Sequence, residues 1–160
     1  MDWLLNPYRR ICRYFIKRAF LKAFESEVAE EFLKLLLNLM SLSYILDRNL
    51  RRSIEGFSGL VQFRSKDNEI RVLAEFKNNR LKAKELKPKD ELKRSPNVTV
   101  IFKDDQALMN FLLPKGGKRD ILRSLLNNEV VLSGNLNYIY RFGFLANHLQ
   151  LELTKMLEQG

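Results

Sequence analysis

The chain has 160 residues, 46% of them hydrophobic, which is enough for one domain with a real core. Its formal charge of +9 and pI near 9.8 point to an anionic partner, nucleic acid or a membrane surface, without choosing between them. A lone cysteine, Cys12, excludes an internal disulfide, and with a lone histidine, His148, the usual zinc clusters are excluded too, so no metal and no cofactor is expected.

Residues 2–24 form a basic amphipathic segment. Asn6 and Pro7 suit a helix start. Leu4, Tyr8, Ile11, Cys12, Phe15, Ala19 and Ala23 then gather on one side of a helical wheel, with cations in another sector. Trp3, Leu4 and Leu5 with Arg9, Arg10, Arg13, Lys17, Arg18 and Lys22 make the pattern of a helix lying in a membrane interface. Each cation near an anionic surface adds about 1 kcal/mol. The same face serves equally well to pack on the domain or on a second copy, as in a homodimer. The cations also break any continuous signal-peptide core, and the most apolar run, 32–46, is too short and too interrupted to cross a bilayer. The expected location is cytoplasmic, with peripheral membrane contact through this segment.

A second helical region is expected over 26–53. Its acidic start and basic end match the helix dipole, Val28, Phe32, Leu35, Leu36, Leu39, Leu42 and Leu46 form the buried face, and a break falls at 41–43. Its role reads as structural. From Phe57 the apolar period becomes two. Phe57, Gly59, Val61 and Phe63 alternate with other residues, then Ile70, Val72, Ala74 and Phe76 after a turn at 66–68, then Leu81 and Ala83 after Asn78-Asn79. A charged loop covers 88–96, and Val98, Val100 and Phe102 make a fourth strand. Asp104 or Asp105 caps a short helix ending near Pro114, another helix follows, 130–133 is a fifth strand, and a long helix closes the chain. On that last helix Ile139, Phe142, Ala146, Leu149, Leu153 and Met156 share a face, while Tyr138, Tyr140, Phe144, Leu145 and Leu151 lie off it. The helix is apolar around more of its girth than one sheet face requires, so it is either sandwiched or lines something greasy. The fold class is α+β: a five-stranded, mainly antiparallel sheet covered by helices and preceded by N-terminal helices.

Catalytic chemistry is missing from this pattern. Residues 114–118, Pro-Lys-Gly-Gly-Lys, lack the first glycine, the Ser or Thr and the preceding strand of a phosphate loop. Ser133 sits in no nucleophile elbow, and His148, beside Asn147 in an apolar helix, reads as structural. The Asn97-Val98-Thr99 sequon, inside a strand, reads as chance. Lys77, Arg80, Lys82, Lys84, Lys87, Lys89, Lys93 and Arg94 lack interleaved exposed aromatics and a recognition helix, so they read as a solvated sheet face and not as a nucleic-acid site.

The strand Asn97-Val98-Thr99-Val100-Ile101-Phe102, the acid-capped helix 104–113, the apolar trio Leu122, Leu125, Leu126 and the run Val131-Leu132-Ser133-Gly134-Asn135 before the last helix together resemble the sterol carrier protein domain. The likeness covers about three fifths of the chain. Residues 1–53 form a basic extension similar to that of bacterial ubiquinone-biosynthesis accessory factors, and 54–157 form the domain itself. The chain departs from the family in its Pro-Lys-Gly-Gly-Lys loop. The resemblance implies a non-catalytic carrier with an apolar tunnel between sheet and helices, and so a lipid or other long apolar partner. The expected lining is Phe102, Leu108, Phe111, Leu112, Leu122, Leu125, Leu126, Ile139, Phe142, Leu145 and Leu149. The alternative is a protein-interaction or oligomerisation module in which the same residues close into an ordinary core.

Overall fold

The computed structural model describes residues 29–112 and 127–158. Helix α1, Ala29–Leu46, is followed at once by the short α2, Arg48–Ser53. Strands β1, Gly59–Ser65, β2, Arg71–Lys77, and β3, Arg80–Glu85, form a meander. Strand β4, Val98–Phe102, leads into helix α3, Asp105–Leu112. Strand β5, Val130–Gly134, leads into the long α4, Leu136–Glu158. The five strands lie in the order β3-β2-β1-β4-β5. Every pair is antiparallel except β1 with β4, which is parallel.

Turn chemistry sets the meander. Asn78 and Asn79 both take positive φ, 54° and 56°, as a two-residue hairpin between right-twisted strands requires. In the β1–β2 turn Asn68 is likewise at 61°. There the Asp67 carboxylate accepts from the Ser65 hydroxyl and from the Glu69 N–H at 3.0 Å. These hydrogen bonds, the Ser65 one foremost, hold the Asp67 carboxyl below its ordinary pKa.

Alternation gives the sheet two unlike faces. Val61, Phe63, Val72, Ala74, Phe76, Leu81, Val98, Val100, Phe102 and Val130 are buried beneath the helices. The opposite face carries Arg71, Glu75, Lys82 and Lys84. Because β1 and β4 are parallel, residues 86–97 must cross the sheet to reach β4, and they do so over this polar face. Arg71 holds the crossing by donating to the carbonyls of Lys87, Pro88 and Asp90 at 3.0, 3.3 and 3.3 Å, and Arg94 lies 3.7 Å from Glu75. Leu60 and Gln62, which point to this face, are buried as well, so β1 is covered on both sides. The sequence shows only its alternating half.

Two expectations about α1 change. The break falls at Asp47 and not at 41–43: the Asp47 carboxylate accepts from the N–H groups of Asn49 at 2.8 Å and Leu50 at 3.3 Å, which starts α2. Ser41 serves a tertiary contact within the continuous helix, its hydroxyl donating to the Leu81 carbonyl at 2.7 Å. The buried stripe also rotates. Leu33, Leu37, Met40 and Tyr44 are buried with Phe32, Leu36 and Leu39, whereas Leu42 and Leu46 are 39% and 47% exposed; Val28 lies outside the described residues. The whole run is apolar on several rows, and docking along β3 selects the row. Lys34 fixes that docking with Glu85 at 2.9 Å.

Candidate functional site

Between the inner sheet face and the helices lies one continuous apolar cluster built from α1, the strands, α3 and α4. Its centre is aromatic. Phe63 of β1 and Phe102 of β4 are diagonal neighbours on parallel-paired strands, with ring centroids 6.4 Å apart and nearly parallel. Phe142 of α4 packs on Phe63 at 5.0 Å, and Phe111 of α3 meets Phe102 edge-on at 5.5 Å. Such pairs add about 0.5–1.5 kcal/mol beyond burial.

Local capping aims the two helices at this centre. Asp104 starts α3 by accepting from the Ala107 N–H at 2.8 Å. Asn135 starts α4, its side chain accepting from Asn137 at 3.0 Å. The β5–α4 corner is tied to the sheet through Asn97. The Asn97 carbonyl accepts from Asn135 N–H at 2.8 Å, and its side-chain oxygen accepts from the Leu60 N–H at 2.7 Å. Gly134, at φ +110°, passes so close that a Cβ would lie 2.5 Å from the Asn97 carbonyl. Asn97 is therefore a junction residue, which the sequon reading did not reveal.

Of the residues expected to line a tunnel, Phe102, Leu108, Ile139, Phe142 and Leu145 come together, each no more than 1% exposed, and Phe111 packs against them. Leu145 shares the buried face with Ile139 and Phe142, although the wheel set it off the stripe. Leu112 and Leu149 lie on α3 and α4, but their side chains are outside the description. Leu122, Leu125 and Leu126 lie outside the described residues. So do all the expected membrane contacts: Trp3, Leu4, Leu5, Arg9, Arg10, Arg13, Lys17, Arg18 and Lys22. The sequence reading missed the contribution of α1, whose Leu33, Leu37, Met40 and Tyr44 line the same cluster. They recur at spacings of four, three and four, but the expected buried face was a different row and the region was read as structural.

The outer side of α4 is also apolar in places. Tyr140 and Phe144 are 56% and 57% exposed. Phe144 stacks with His148 at 6.3 Å, which suits a structural histidine. Arg141 reaches back to α2, donating to the Ser53 carbonyl at 2.6 Å, with its guanidinium 5.8 Å from the ring centres of Phe57 and Phe144. Among the described residues no group of three or more His, Cys, Asp or Glu is placed to hold a metal ion, and no helix is long and apolar enough to cross a membrane. The cations of β2 and β3 lie away from the apolar cluster. Lys77, Arg80 and Lys82 share a surface cleft of about 300 Å³ with Glu75 and Asn78.

No protein-family model matches the sequence, and no curated protein matches it. Solved structures do. A ubiquinone synthesis protein, UbiJ-SCP2, superposes with a TM-score of 0.54 at 16% identity, over 71% of this chain and 87% of that one. The sterol carrier protein domain 2 of Helicoverpa armigera gives 0.51 at 14% identity, over 75% and 87%. A double mutant of the sec-alkyl sulfatase PisA1 gives 0.50 at 14% identity over 70% of this chain, which corresponds to only 15% of that enzyme. The likeness is one of fold: the chain has the sterol carrier protein fold.

Proposed function

We propose that this protein is a non-catalytic lipid-binding or lipid-carrier protein that holds an isoprenoid, a quinone precursor or a fatty acyl chain between its sheet and helices. The observation that carries the reading is the convergence of Phe102, Leu108, Phe111, Ile139, Phe142 and Leu145 into one apolar cluster beneath α3 and α4, in a fold shared with sterol carrier domains. Burying an apolar chain yields about 0.8 kcal/mol per methylene, so a long chain needs few polar contacts. In the same proposal the segment from Trp3 to Lys22 docks the protein on anionic membrane.

Exposed Leu42, Ile45, Leu46, Tyr140 and Phe144 favour one second reading, an interaction module whose apolar surface meets another copy or a partner subunit. Native mass spectrometry of the purified protein, followed by organic extraction and lipid analysis, separates the two. A stoichiometric lipid supports the carrier and names its chemical class. A ligand-free mass with no uptake from a mixed lipid and quinone pool refutes it. Liposome flotation of the full chain, with Arg9, Arg10, Arg13 and Lys17 replaced by Glu, tests the docking: loss of flotation on anionic vesicles is expected, and unchanged flotation rules that segment out.

A further inference from the structure

Three of the described polar residues are almost wholly buried on the sheet or in its turns or on α1: Gln62, Ser65 and Ser43. Ser65 accepts from the Ile70 N–H at 3.0 Å and donates to Asp67, and Gln62 lies 3.4 Å from the Thr99 hydroxyl. Tyr44 differs. It is 2% exposed, and its hydroxyl has no hydrogen-bond partner among the described residues. A buried donor left unmade costs the group's full desolvation, which native structures rarely tolerate without a use for it.

The position of Tyr44 suggests that use. It lies on the α1 row of Leu33, Leu37 and Met40 that faces the apolar cluster. The Arg141 guanidinium, exposed on α4, donates to the Ser53 carbonyl and not to the phenol. Burial outweighs that cation and pushes the phenol above its ordinary pKa, so the hydroxyl stays protonated and can donate. An otherwise apolar cluster thus has one unused donor.

We propose that the Tyr44 hydroxyl donates to an acceptor oxygen at the head of the bound chain. This assignment rests on the carrier reading and adds to it the end of the cluster at which the head sits and the class of ligand preferred, a long chain that ends in an oxygen acceptor, for which a fatty acid is the probe. The test compares Tyr44→Phe with the wild-type full chain, using tetradecanoic acid and tetradecane delivered from cyclodextrin. The variant is expected to bind the acid about ten-fold more weakly and the alkane equally well. Its ligand-free melting temperature should equal or exceed that of the wild type, since the hydroxyl it loses was unpaired. An unchanged acid affinity, or an equal loss for acid and alkane, overturns the head-group contact while leaving the carrier reading intact. A wild type that takes up neither ligand overturns both. A second measurement needs no variant that binds: in the 13C-tyrosine-labelled wild type, the Tyr44 Cζ resonance should shift on loading with acid and not with alkane, and no difference between the two overturns the proposal.

Discussion

Gly134 and Gly56 offer a controlled comparison of what a positive φ costs with and without a neighbour in the way. Both residues have φ in the left-handed half of the map, +110° and +71°. A Cβ on Gly56 would meet nothing within 4 Å, whereas on Gly134 it would lie 2.5 Å from the Asn97 carbonyl oxygen and 3.1 Å from the Val98 Cα. Gly56→Ala therefore costs only the backbone conformation, about 1–2 kcal/mol. Gly134→Ala costs about 1–3 kcal/mol for the conformation. It must also push backbone away, disturbing the Val98–Gly134 pair and the 2.8 Å bond from Asn135 N–H to the Asn97 carbonyl, a further ~1 kcal/mol or more. At about 2–4 °C per kcal/mol for a chain of this size, Gly56→Ala should melt roughly 2–8 °C below the wild type, and Gly134→Ala about 10 °C below. Thermal unfolding followed by circular dichroism reads both. Equal losses would mean that the close approach at the β5–α4 corner is not a constraint, and the account of how α4 is aimed would fall with it.

Phe142→Ala removes a ring that is 1% exposed and should cost about 3–5 kcal/mol in denaturant unfolding of the ligand-free protein. If the carrier reading holds, saturating tetradecanoic acid raises the melting temperature of this variant more than that of the wild type, because the chain fills the opened volume; equal rises would put the ligand elsewhere. Glu85→Gln tests the tie between α1 and β3. The hydrogen bond from Lys34 lowers the Glu85 pKa and raises that of Lys34. The Glu85 share of stability is therefore present above the ordinary carboxylate pKa and is lost as pH falls through the lowered value. The Lys34 share is present below the ordinary lysine pKa and is lost as pH rises through the raised one. Melting curves across pH should show both slopes flattened in Glu85→Gln, and unaltered slopes would count the bridge as inert.

The sheet was legible in the sequence because most of its strands are buried on one face, and a period of two is then written directly into Val72, Ala74, Phe76 and again into Val98, Val100, Phe102. The same rule understated β1, whose second face is covered by a crossover that only the parallel pairing with β4 requires. The α1 run was legible as a helix but not as an oriented one. Several of its rows are apolar, so two settings of the wheel fit the letters equally, and contact with β3 chose the one that leaves Leu42 and Leu46 exposed. Ser41 looked like a break because serine competes for helix backbone, yet here its hydroxyl binds Leu81. The aromatic centre of the candidate site was visible residue by residue, as Phe102, Phe111 and Phe142. Tyr44 was not: periodicity counts its apolar body, and only the folded arrangement reveals that its hydroxyl is without a partner.

The polar ties of the fold are unevenly shared among the helices, and this bears on how a carrier would load. Helix α1 is fastened to the β3 edge through Lys34–Glu85 and Ser41–Leu81. The start of α4 is fastened through Asn135 to Asn97 and through Arg141 to Ser53. The hydrogen bonds that start α3 run to its own cap, Asp104, and the helix meets the cluster through apolar side chains, Leu108, Met109 and Phe111 among them. Admitting a chain beside Phe102 and Phe111 therefore exchanges apolar contacts for apolar contacts, and the polar ties that hold α1 and α4 to the sheet stay made. Apolar contacts are non-directional and each is small, so the protein's own rearrangement is nearly neutral in free energy and the burial of the chain drives uptake. Opening a site closed by buried hydrogen bonds would instead set the loss of those bonds against the burial of the chain.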